Sequence, residues 1–182
     1  MTTVLAVLGT DKHGFDRLVG WLESWHRTAT AVRLLVQHGF SRPPTGPEAV
    51  DFLDHARLQA SLREADLVVT HGGPATITEA RRAGHLPIVV PRDPSRREHV
   101  DDHQQRFARR LAQDRMVVLC ESEPALVAAL RSGLDDPAGF RWRADPAESR
   151  LRAAAVARVG QIVEDLIAGD TGRPPTRLGG QR

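Results

Sequence analysis

His71-Gly72-Gly73-Pro74, with Glu79 five residues past the proline and Gly84 five further on, combines residue types whose spacing suits phosphate chemistry. An apolar run, Ala65-Asp66-Leu67-Val68-Val69-Thr70, precedes it and reads as a buried parallel strand. Two glycines then give a tight turn, and Pro74 fits the first position of a helix, where its missing N–H costs nothing. Gly84 supplies a stop. A short helix placed this way points its free N–H groups and its dipole at the carboxyl edge of a sheet, an arrangement that attracts anions. Glu79 lies about one and a half turns inside, within reach of a sugar attached to a bound phosphate. The spacing therefore predicts a nucleotide-sugar site.

Other strand ends join it. Ligands of open parallel sheets bind outside the carboxyl ends of the strands, which here read Gly9-Thr10-Asp11, Gln37-His38-Gly39, His71-Gly72-Gly73 and Pro91-Arg92-Asp93. Common nucleotide signatures are absent. Gly9 and Gly14 have the spacing of a phosphate loop, but Phe15-Asp16 stands where Lys-Ser/Thr is required. No Gly-x-Gly-x-x-Gly follows the first strand, and no Gly-x-Ser-x-Gly nucleophile elbow occurs. His99 and His103, four apart with Glu98 and Asp102 beside them, have the types to clasp a metal on one helical face. No third cluster lies near them in sequence, and no metal or cofactor is expected. Taken singly, His71 reads as a histidine stacked at a strand end, and Glu79 as a solvated residue paired with Arg81 or Arg82. The joint pattern favours the site.

The elements that must position these residues alternate. Strand candidates are Val4–Leu8, Val32–Gln37, Leu67–Thr70, Leu86–Val90 and Met116–Cys120, with Val50–Leu53 a short sixth. Helical patterns fall between them at Phe15–Arg27, Ala56–Glu64, Pro74–Ala83, a segment ending near Gln113, and Pro124–Ser132. Apolar strands without polar alternation, separated by helices, predict an α/β fold: a Rossmann-like parallel sheet flanked by helices. Asp102 can cap a helix beginning at His103 with Gln105 as its capping-box partner, while Ser95 with Glu98 is a competing start. On a helix through Arg110, Gln104 shares a stripe with Val100, Phe107 and Leu111. Leu134–Asp145 reads as a connector, Pro146–Ala168 as a long helix striped by Leu151, Ala155, Val159, Ile162 and Leu166, and Gly169–Arg182 as a disordered tail. The expected division is one domain over residues 1–168 and a tail over 169–182.

Composition bounds the function. The chain has 41% hydrophobic and 26% charged residues, as soluble domains do. No apolar run is long enough to span a bilayer, and Met1-Thr2-Thr3 leads directly into a strand without the basic start of a signal peptide. Cys120 is the only cysteine, which fits a reducing cytoplasm. The pI of 9.4 overstates a net charge of only +2, carried almost wholly by arginine. Acidic residues are interspersed and aromatics are few, so nucleic acid is not an expected partner.

Taken together, His71-Gly72-Gly73-Pro74-Ala75-Thr76-Ile77-Thr78-Glu79, Gly84-His85-Leu86-Pro87, Val90-Pro91-Arg92 and Glu98-His99-Val100-Asp101-Asp102-His103-Gln104 resemble the C-terminal, donor-binding half of GT-B glycosyltransferases of family 28. They resemble most its small stand-alone versions, the catalytic subunit of the eukaryotic lipid-linked UDP-N-acetylglucosamine transferase and the PssE-like subunits of exopolysaccharide synthesis. Val7-Leu8-Gly9-Thr10 with Phe15-Asp16-Arg17-Leu18-Val19 is similar to the first strand, turn and helix of that group, and the resemblance covers about residues 4 to 132. Pro74 and Ala75 depart from the small residues usual there. The resemblance implies that His71, Gly72 and Gly73 hold the diphosphate with help from Gly9 and Thr10, and that Glu79 binds the ribose hydroxyls. It implies donor-sugar contacts at Asp102 and Gln104, and a phosphate-binding role for Arg92 by position. It further implies a two-component inverting transferase, cytoplasmic and recruited to the membrane face. A UDP-sugar would be its donor, a membrane-associated subunit its partner, and a polyprenyl-diphosphate-linked molecule its acceptor. The catalytic base is unassigned, with His13 and His38 as the local choices and the partner as the other source. A non-catalytic nucleotide-sugar-binding regulatory subunit and a UDP-sugar epimerase or hydrolase are the competing readings.

Overall fold

The computed structural model describes residues 1–142. Six parallel strands, β1 (Thr2–Val7), β2 (Val32–Gln37), β3 (Glu48–Val50), β4 (Leu67–His71), β5 (Ile88–Val90) and β6 (Val118–Leu119), form one sheet in the order β3-β2-β1-β4-β5-β6. Helices α1 (Asp16–His26), α2 (His55–Glu64), α3 (Pro74–Arg82), α4 (His103–Gln113) and α5 (Glu123–Asp135) connect them. The register runs Thr2↔Val32 through Val7↔Gln37 on one side of β1, and Val4↔Leu67 through Val7↔Thr70 on the other. The strand order reverses between β1 and β4, and the two connections leave from opposite sides of that point, opening a crevice at the carboxyl edge.

Both faces of the central strands are buried, which is why their sequences lack polar alternation. Val4, Ala6 and Leu8 pack with Leu18, Leu22 and Trp25 of α1 and Leu126 and Leu130 of α5. Leu5 and Val7 point the other way, toward Leu62 of α2 and Ala80 of α3. Each fully buried Val or Leu among them contributes about 1.5–3 kcal/mol.

Three expectations change. The sixth strand lies at Glu48–Val50 rather than Val50–Leu53, because Leu35↔Glu48 to Gln37↔Val50 is the register that closes the edge. Of the two candidate starts for α4, the structure takes His103, while Pro94–Arg96 forms a separate 3-10 turn capped by Asp93. The capping box does not form: the Asp102 side chain turns instead to Arg106 (3.1 Å), and Asp101 Oδ1 accepts from His103 N–H. Residues 135–142 are more than a connector. Phe140 is buried in the main core, Leu86 N–H donates to Phe140 O, and the Arg81 guanidinium lies 3.9 Å from the Trp142 ring. The helix expected at Pro146–Ala168 and the tail lie outside the described residues.

Candidate functional site

At the crevice lies a cavity of about 490 Å³. Gly9, Thr10 and Asp11 of the β1–α1 loop form one wall, and His71, Gly73, Pro74, Ala75 and Thr76 the facing one. Gln37, Leu53, Leu58 and Gln104 close the remaining sides.

His71 organises the floor. Its Nδ1 accepts from Gly73 N–H (3.2 Å), so the ring proton sits on Nε2, which is 3.4 Å from the Thr76 hydroxyl. Burial, reinforced by the charge of Arg92, pushes its pKa down to about 4. A neutral imidazole with a donor N–H therefore faces the cavity at neutral pH. The glycines are required by proximity to this ring. A Cβ on Gly73 would fall 2.2 Å from His71 Cε1, one on Gly9 2.6 Å from Nε2, and one on Gly72 2.8 Å from Gln104 Cβ. Gly73 has ordinary extended dihedrals (φ −75°, ψ 128°), so the expected need for turn flexibility gives way to a need for space. Gly9, at φ +90°, needs both.

Helix α3 starts beside this ring. Pro74 has no N–H, and the first-turn amides of Ala75 and Thr76 have no intrahelical partner, so the helix presents donors and its positive dipole end to the cavity. The opposite wall is held by Gln37, whose side chain accepts from Gly9 N–H (3.2 Å) and donates to Gly9 O (3.1 Å) and Asp51 O (2.8 Å). Asp11 projects beside it. Burial alone would raise its pKa, but hydrogen bonds from His13 and the charges of His13 and Arg92 outweigh burial and hold it below the usual value.

Gly9, Thr10, His71, Gly73 and Gln104 thus converge on one cavity, with Gly72 packed beneath Gln104. Glu79 sits further along α3, 3.7 Å from His55 at the start of α2. Arg92 lies elsewhere than expected of a phosphate ligand. It is only 1% exposed, and its guanidinium donates to the carbonyls of Leu8 (2.8 Å), His13 (2.6 Å) and Glu98 (3.0 Å) while lying over Phe15. Asp102 is half-exposed and paired with Arg106, away from the cavity wall. Gln104 is buried and contacts both His71 and the Arg92 N–H (3.4 Å). Val100, placed on its stripe by periodicity, is 74% exposed in the preceding loop. Asp11 and Gln37, which sequence placed at the strand ends without a role, prove to be wall residues, while Leu53, Leu58 and Thr76 were not singled out as wall. A polar Gln ending the apolar strand β2 was the one signal available for Gln37. Of the two local base choices, His13 Nδ1 pairs with Asp11 Oδ1 (2.5 Å), and His38 Nδ1 is shared between the carbonyls of Gly39 and Ser41.

Comparison with known proteins gives the family and the fold. Residues 32–155 match the family described as the glycosyltransferase family 28 C-terminal domain. Among curated relatives, the UDP-N-acetylglucosamine--N-acetylmuramyl-(pentapeptide) pyrophosphoryl-undecaprenol N-acetylglucosamine transferase of Xanthomonas axonopodis pv. citri is 26% identical over 162 residues, covering 87% of this chain and 36% of the relative. The enzyme of that name from Shewanella amazonensis is 30% identical over 148 residues, 78% of this chain and 39% of the relative. This chain therefore spans little more than a third of those relatives' length. Among solved structures, MurG of Acinetobacter baumannii superposes with a TM-score of 0.56 at 20% identity, covering 77% of this chain and 43% of that one. The glycotransferase of kitacinnamycin gives 0.56 at 21% identity, covering 75% and 35%.

Proposed function

Because this chain belongs to the glycosyltransferase family 28 C-terminal domain family, we propose that it is the donor-binding, catalytic subunit of a two-component inverting glycosyltransferase. It takes a UDP-sugar and serves transfer to a lipid-linked acceptor, in exopolysaccharide or cell-surface glycan synthesis. The acceptor site belongs to a separate membrane-associated subunit, which recruits this chain to the cytoplasmic face of the membrane. The observation that carries the reading is the meeting of a neutral His71 N–H donor with the open first turn of α3 across from the Gly9-Thr10 loop.

The diphosphate sits between these donors. The acceptor hydroxyl attacks the anomeric carbon, the bond to the β-phosphate oxygen breaks, and UDP leaves with the bonding electrons. Negative charge grows on the diphosphate as it departs, where the α3 amides and His71 Nε2–H stabilise it without reorganising. His71 performs this as a neutral donor and is too acidic, when protonated, to serve as a general base at neutral pH. The partner supplies the base. Uridine extends past Leu53 and Leu58, and its ribose reaches Glu79, which stands 3.7 Å from His55 further along α3. Gln104 meets the donor sugar from the opposite wall.

Isothermal titration of the chain with UDP, UDP-N-acetylglucosamine, UDP-glucose, GDP and NAD tests the donor half of this reading. Uridine nucleotides should bind and the others should not; failure of all the uridine nucleotides sinks the assignment.

A further inference from the structure

A second set of side chains stands beside the cavity without lining it. The loop entering α4 brings together His99, Asp101 and His103, whose ligand atoms all lie within 4.8 Å of one another. The two residues that sequence placed with these histidines are occupied elsewhere: Glu98 pairs with Arg17 (2.7 Å), and Asp102 with Arg106. Asp101, at alternate spacing between the imidazoles, takes their place.

We propose that His99, Asp101 and His103 bind a divalent transition metal ion of the zinc class, held by His99 Nδ1, His103 Nδ1 and an Asp101 oxygen, with a fourth position for water. The first argument is the donor set, since two imidazoles and one carboxylate match zinc chemistry and leave the open position of a three-ligand site. The second is spacing. Tetrahedral zinc with bonds of about 2.0 Å needs ligand atoms about 3.3 Å apart, and His99 Nδ1 stands 3.5 Å from Asp101 Oδ1. His103 Nδ1 lies in closer contact with the same oxygen and must turn outward, which its half-exposed side chain permits. The third is the far side of His99. Its side chain is only 11% exposed, and its Nε2 faces Asp11 Oδ2 at 3.7 Å. A carboxylate on that side of the ring is placed to take up the distal N–H as an outer partner once the ring turns Nδ1 to a metal.

Two local features oppose the ion. The amino end of α4 disfavours a cation, and Asp101 N–H donates weakly to His99 Nδ1 (3.4 Å). The Asp101 carboxylate offsets the first, and a small rotation of His99 releases the second. Such an ion would pin the 97–103 loop against the β1–α1 loop through His99 and Asp11.

The test uses the full chain without a histidine tag, titrated calorimetrically with zinc and followed by visible absorption with cobalt. One ion per chain is expected at micromolar affinity, with the absorption of tetrahedral cobalt. His103→Ala and Asp101→Asn should each weaken binding at least tenfold, Asp11→Asn about tenfold through orientation alone, and His26→Ala not at all. His103 is exposed enough that its variant should fold, which circular dichroism checks. A parent chain that binds neither metal, or a folded His103→Ala chain that binds as tightly as the parent, overturns the site. UDP titration of His103→Ala and Asp101→Asn is a separate readout, since neither residue is cavity wall.

Discussion

At position 71 a histidine with a pKa near 4 replaces one that titrates near 6.5 in the unfolded chain. The unfolded state therefore binds more protons between those values, and stability must fall as pH falls through that window. His71 contributes fully above pH 6.5, and its contribution is gone below pH 4, a swing of roughly 3 kcal/mol. Urea midpoints measured from pH 7.5 to 4 should show a steeper loss for the parent than for His71→Asn, whose side chain does not titrate; identical slopes would contradict the buried neutral ring. The same ring makes Gly73→Val informative. Its Cβ would collide with His71 Cε1, driving the imidazole from the start of α3. UDP affinity should drop about a hundredfold or more with the circular dichroism spectrum retained. Glu79→Ala removes one acceptor of ribose hydroxyls and should cost about tenfold in UDP affinity by the same titration. An unchanged affinity would place the ribose elsewhere.

Between elements, the strongest tie at the active edge is Arg92. It follows β5, yet its guanidinium reaches carbonyls of Leu8 and His13 on one side and of Glu98 on the other. A phosphate cation and a staple between loops predict different behaviour on substitution. Arg92→Lys keeps the charge and loses the fork, leaving buried carbonyls unpaired at about 1–3 kcal/mol each. Chemical denaturation should show a loss of about 2–4 kcal/mol; normal stability with weakened UDP binding would restore the phosphate role. This tie also marks where sequence stops being legible. β2 is found to the residue because its apolar run has a sharp end, and α3 because Pro74 and Gly84 punctuate it. The cavity residues at strand ends follow from the parallel sheet itself. The partners of Arg92, Glu98, Asp11 and Gln37 do not, because each contact crosses the fold and no local spacing encodes it. Periodicity likewise misplaced Val100, since the helix that would carry it begins three residues later.

Across the whole molecule, the domain presents a cavity at its carboxyl edge, and the relatives it matches are more than twice as long. The core reaches at least to Trp142, because Phe140 fills the space against α5 and Trp142 N–H donates to Gly84 O. Ending the chain at Leu134 should therefore unfold or severely destabilise it, since loss of one buried Phe alone costs about 3–5 kcal/mol. A chain ending at Trp142 should stay folded and bind UDP. Only beyond that point can a truncation separate partner docking from folding. If residues 143–182 hold the acceptor-binding subunit, the shortened chain should keep its UDP affinity and lose co-purification with that subunit. Transfer itself needs a second surface to seat the acceptor and a base to take its proton, and the cavity wall offers only a neutral His71 and a carboxylate already paired with His13. The 182-residue chain alone should show little or no sugar transfer from UDP-sugar to a polyprenyl-diphosphate-linked acceptor, and addition of the membrane-associated subunit should raise the rate by several orders of magnitude. Efficient transfer by the pure chain, followed by lipid-product chromatography, would show that it carries both halves of the chemistry, and the two-component reading would be wrong.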